Sequence, residues 1–216
     1  LADVARQAMP RLRSGLQLQR CSKQETCSAG MKTVSVDFVR LHGASGSPTT
    51  DLAKANEAYK KCCVEFKQGK NPAPESKAVT ESWLGGDTDL DLRGITCSSV
   101  PAEEKMMYDE ATKKHQFASR MRVFYVQSLT GYTPRGYSSP EYCATGSRAP
   151  YENHVVLQNS AAVRSLAHEF GHVLLNSGRH SGIDDPADQA NLMTPSNSAT
   201  GEEIDDSQCK IIYQNA

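Results

Sequence analysis

Residues 167–180 read Ala-His-Glu-Phe-Gly-His-Val-Leu-Leu-Asn-Ser-Gly-Arg-His, and no other stretch of the chain restricts its fold as strongly. In an α-helix, positions i and i+4 share a face, so His168 and His172 can aim a ring nitrogen at one ion. Glu169 lies about 100° further round the helix, within reach of a water on that ion without ligating it. Zinc suits such a site because catalytic zinc takes three protein ligands and keeps one position open.

The flanking residues support a helix here. Asn159 or Ser160 is a suitable N-cap, and Val163, Ala167, Phe170 and Leu174 recur at the spacing of a buried stripe. Asn176, Ser177 and Gly178 then supply a stop, with Gly178 expected in the left-handed conformation. His180 follows directly after that turn and is expected as the third ligand. Asp184 or Asp185 in the following loop, and Glu202 or Glu203 later, are alternative carboxylate ligands. His42, His115 and His154 have no ligand spacing.

A His-Glu-x-x-His helix, a Gly-containing turn, a third His and then Asn191-Leu192-Met193-Thr194-Pro195-Ser196 resemble the metzincin zinc endopeptidases, and within them the matrixins. The resemblance is specific from Leu157 onward and only architectural before it. One departure is evident: Leu175 stands where the family has Gly, and His180 falls two residues beyond the usual third-ligand position. The resemblance implies that Met193 forms an apolar floor beneath the metal. It also implies that Arg164, four residues before His168, lines the pocket for the side chain after the scissile bond. Thr194 and Pro195, in the Met-containing turn, are further candidate substrate-binding residues.

A chain of 216 residues with net charge −1 is long enough for a sizeable core and carries no basic excess for nucleic acid. No apolar run approaches membrane-spanning length, and the N-terminus has no signal-peptide core. Seven cysteines, none in a Cys-x-x-Cys pair, read as up to three disulfides in an oxidising compartment. Cys21 and Cys27 suit a short local loop. Cys62 and Cys63, adjacent at a strand start, point to opposite sides and call for different partners.

Alternation at Thr33–Val39 predicts a strand, and Leu52, Ala55, Tyr59 and Cys62 predict an amphipathic helix over 50–62. Cys63–Phe66 reads as a second strand. Residues 68–100 read mainly as loop, anchored by Trp83. Pro101–His115 reads as a helix and Met121–Leu129 as one strand covered on both faces. A turn-rich stretch, 131–150, leads to a strand at Asn153–Leu157. Thr200-Gly201-Glu202-Glu203 matches a capping box opening a last helix to about Tyr213.

The expected fold is therefore α+β (mixed α/β) and metzincin-like: a twisted sheet with two long helices above a cleft, and a small irregular lower lobe ending in a helix. Residues 1–30 form an N-terminal arm, 31–176 the upper lobe with the zinc helix, and 177–216 the lower lobe, all one catalytic domain. The expected activity is that of a secreted, monomeric endopeptidase holding one Zn2+, with Glu169 as general base and an extended protein or peptide as substrate. If Asn153–Leu157 is the sheet edge, His154 and Val155 contact that substrate. The alternative is a non-catalytic zinc-containing binding or effector protein on the same fold.

Overall fold

A computed structural model of the chain describes residue 27 and residues 29–141, 146–162, 164–178, 180, 190–194 and 203–216. It is a mixed α/β fold around a five-stranded, mostly parallel sheet. In chain order, β1 (Lys32–Arg40) leads to α1 (Pro48–Tyr59), β2 (Val64–Gln68), α2 (Lys77–Trp83), β3 (Asp89–Asp91) and α3 (Ala102–His115). Then come β4 (Met121–Val126), β5 (Ser128–Thr130), β6 (Gly136–Ser139), β7 (His154–Gln158), α4 (Ser165–Leu175) and α5 (Asp206–Asn215). The arm expected over residues 1–30 lies almost wholly outside the described residues.

The sheet order is β2-β1-β4-β7-β6, with only β6 antiparallel to its neighbour; β3 and β5 form a separate two-stranded sheet. Alternation along β4 and β7 divides the core. Met121, Val123, Tyr125, Val155 and Leu157 pack with α1 and α4, whereas Phe124, Val126 and Val156 pack with α3 and Trp83. Covering both faces accounts for the nearly continuous apolar run of β4. The run ends at Gln127, so the single strand expected to Leu129 is instead two, the second pairing with β3.

Other differences have local causes. Ser47 caps α1 by accepting from Thr50 N, so the helix starts at Pro48, and residues 60–62 tighten into a 3-10 turn. Residues 68–100 contain α2 and β3, which are too short to show a period. Asp205, with Gln208 completing a capping box, opens α5 later than the expected cap at residue 200. Cys27 pairs with Cys63 rather than Cys21, and Cys62 pairs with Cys209, so the adjacent cysteines do take different partners. Cys97 is also disulfide-bonded.

Candidate metal centre

α4 is buried along almost its whole length, because the sheet covers one side and residues 190–194 and α5 cover the others. Leu166, Ala167, Phe170, Val173 and Leu174 enter the core, which leaves His168, Glu169 and His172 on the remaining face. The helix begins at Ser165, after Arg164, and not at Asn159 or Ser160. Asn159 instead accepts from Ser45 N and donates to Gly43 O. The helix stops at Asn176, whose φ of 49° makes it the left-handed residue expected at Gly178.

His168, His172 and His180 converge, with candidate ligand atoms all within 4.8 Å of one another. Ring centroids are 4.8 Å apart for His168–His172 and His172–His180, and 5.2 Å for His168–His180. His168 Nδ1 donates to Leu192 O at 2.8 Å and His172 Nδ1 to Ser177 O at 2.7 Å. A carbonyl only accepts, so each Nδ1 carries the proton and each Nε2 presents a lone pair. Those two Nε2 atoms face each other at 3.1 Å. Two lone pairs at that distance repel unless a cation lies between them. A tetrahedral ion with bonds of about 2.05 Å would hold its ligand nitrogens about 3.3 Å apart. The donor set therefore fits a borderline metal such as zinc.

Burial keeps the imidazoles in their ligating form. It lowers His168 and His180, and with the neighbouring His168 it pushes His172 down to about 3. Burial acts the other way on Glu169, pushing its carboxyl up to about 7 against a hydrogen bond from Ser138. The carboxyl also faces Tyr59 and Tyr132, whose phenols are raised first by burial and then by the Glu169 charge.

Met193 is buried, and its sulfur lies against the backbone of Gly171, between the two helix histidines. Residues 191–194 form a turn in which Thr194 N donates to Asn191 O at 3.1 Å and Met193 N to Asn191 Oδ1 at 2.8 Å. Thr194 is buried at its end. Pro195, Asp184, Asp185 and Glu202 lie outside the described residues. Glu203 is exposed and contributes its backbone to a bridge with Asn191. Arg164 is partly buried, and its guanidinium, lowered by burial, feels the opposing Glu57 charge on α1.

The substrate-facing placement expected for His154 and Val155 is corrected. β7 is paired on both sides, by β4 and β6, and both side chains are fully buried. His154 Nε2 lies 3.0 Å from both Glu104 Oε1 and Tyr137 Oη, and Nδ1 donates to Tyr151 O at 2.8 Å. Arg148 completes this buried group through two contacts to Glu104, at 2.9 and 3.0 Å. The edge beside Glu169 is β6. Its Tyr137 and Ser139 face the Glu104 group while Ser138 reaches Glu169. Sequence reading missed β6, Ser138 and Tyr132, because Gly-Tyr-Ser-Ser has neither length nor apolar alternation. His115 bonds Glu75 at 2.7 Å, away from the histidine cluster.

No family model and no curated protein matches the chain. Among solved structures, the fold is similar to metalloproteinase-II from Bacteroides fragilis, with a TM-score of 0.50 and 14% sequence identity. The alignment covers 86% of this chain and 54% of that one, so the chain spans about half the length of that protein. At this identity the likeness concerns the fold.

Proposed function

We propose that the chain is a zinc-dependent endopeptidase of metzincin type that cleaves extended protein substrates outside the cell. The observation that carries this reading is Glu169: a buried carboxyl, pushed up to about 7, beside three convergent imidazoles. A site that merely stores structural zinc closes all four positions with protein and has no use for such a group. The likeness of fold to a metalloproteinase and two disulfides joining described cysteines support the same reading.

His168, His172 and His180 would hold the ion. When bound, it would supply Lewis acidity to a water and to the substrate carbonyl. Glu169, beside the three imidazoles, would accept a proton from such a water and pass it to the departing amine. Ser138 holds Glu169 in place, and the outer edge of β6 offers backbone donors and acceptors to an extended peptide. In this proposal the cleft lies between residues 31–176 and the lower lobe 177–216, Arg164 charges one specificity pocket, and the enzyme works as a monomer.

The test combines metal content with proteolysis. Purified chain should carry one zinc by atomic spectroscopy and cleave casein in a chelator-sensitive manner. Glu169→Ala should keep the zinc and lose about 10²–10⁴ in rate. Undiminished cleavage at equal zinc content would remove Glu169 from the mechanism. Zinc uptake with no cleavage by the wild type would leave a zinc-containing binding protein.

A further inference from the structure

The two helix histidines are held in different ways. His172 donates to Ser177, five residues on at the end of its own helix, at 2.7 Å. His168 donates to Leu192, 24 residues away, at 2.8 Å. The orientation of His168 therefore depends on where a tertiary turn is held, and Leu192 N anchors that turn to Glu203 O at 2.6 Å.

Within the turn, Asn191 is buried and its amide has two tasks. Oδ1 accepts Met193 N at 2.8 Å, and Nδ2 donates to Gln208 Oε1 at 2.9 Å. Gln208 Nε2 approaches Asn191 Oδ1 at 3.4 Å, so the two amides face each other. Gln208 lies in the first turn of α5, beside Cys209, whose disulfide to Cys62 ties that turn to the 3-10 turn that follows α1. A contiguous path thus runs from a covalently anchored helix, through Gln208 and Asn191, to the carbonyl that orients His168.

We propose that Gln208 is a positioning residue for the metal: it holds the Asn191–Thr194 turn so that Leu192 O fixes His168 for ligation. The inference rests on the zinc reading above. Groups that hydrogen-bond a metal ligand from behind typically contribute about 10–100-fold in affinity. Gln208 acts one step further back, so the lower part of that range is expected.

Zinc affinity, measured by competition with a chromogenic chelator, tests this independently of turnover. Gln208→Met keeps length and packing but removes both amide contacts to Asn191, together with the capping-box bond from Asp205 N, and should weaken zinc binding roughly tenfold. Gln208→Glu keeps the oxygen that accepts from Asn191 Nδ2 and Asp205 N but loses the longer donor contact to Asn191 Oδ1, and should bind zinc more tightly than Gln208→Met does. Asp205→Ala removes the α5 cap, where Asp205 Oδ1 accepts Gln208 N at 2.8 Å, without touching Asn191. It should lower the melting temperature and leave zinc affinity unchanged. Wild-type affinity in Gln208→Met, or an equal loss in Asp205→Ala, would overturn the positioning role while leaving the metal site intact. Failure of the wild type to take up zinc would overturn the metal reading and this inference with it.

Discussion

Gly171 and Met193 interlock: a Cβ built on Gly171 would collide with Met193 Sδ and stand 3.1 Å from Tyr59 Oη. The absent side chain lets the turn at 191–194 close against α4 between His168 and His172, next to His172. Gly inside a helix costs about 1 kcal/mol relative to Ala, so this residue is retained against local preference.

Gly171→Ala should consequently destabilise the protein. The helix gains about 1 kcal/mol, but overpacking a filled core costs roughly 1–3 kcal/mol. A net loss of about 1 kcal/mol is expected in urea unfolding, with reduced zinc retention because Leu192 O moves away from His168. Combined with Met193→Ala, the substitution should be less harmful than the sum of the two singles. Strict additivity would show that the two residues do not press on each other.

The buried group beneath β6 predicts an acid limit. Glu104 and His154 are fully buried and Arg148 nearly so. Burial alone would raise the Glu104 carboxyl, but the His154 hydrogen bond and the His154 and Arg148 charges bring it below its ordinary value of 4.5. A carboxyl depressed on folding contributes stability that is present above 4.5 and lost as the pH falls through the folded value. Glu104→Gln should be destabilised at neutral pH, leaving Arg148 unpaired at a cost of about 3–5 kcal/mol. The deficit should shrink once the solution is acidified below the ordinary carboxyl range. Urea midpoints at the two pH values decide this, and a pH-independent deficit would rule out the ionised pair.

The disulfides close loops of unequal length, with sequence separations of 36 for Cys27–Cys63 and 147 for Cys62–Cys209. Chain-entropy arguments give about 4 and about 5 kcal/mol respectively. Because the loops share only residues 62 and 63, the two contributions should be nearly additive. The Cys62→Ser/Cys209→Ser variant should therefore lose about 1 kcal/mol more than Cys27→Ser/Cys63→Ser in denaturant unfolding. The opposite order would show that unfolded-chain entropy does not dominate either bridge.

Local periodicity makes much of the fold legible from the order of residues alone. β1, α1, α3, β4 and β7 occur within a few residues of where alternation and helical spacing predict them. His168, His172 and His180 are identifiable because i,i+4 spacing and a following turn bring imidazoles together whatever surrounds them. The features that local pattern cannot reveal depend on partners distant along the chain. Gly136–Ser139 is a strand because β7 pairs with it, not because Gly-Tyr-Ser-Ser favours one. That pairing buries His154 and moves the edge to β6. Cys27 reaches Cys63 only because β1 runs beside β2, and Gln208 meets Asn191 only once α5 docks beneath the turn. Backbone period is a property of consecutive residues and can be read from them. Strand order, disulfide partners and the support behind a metal ligand are set by which surfaces pack together, and only the tertiary structure decides that.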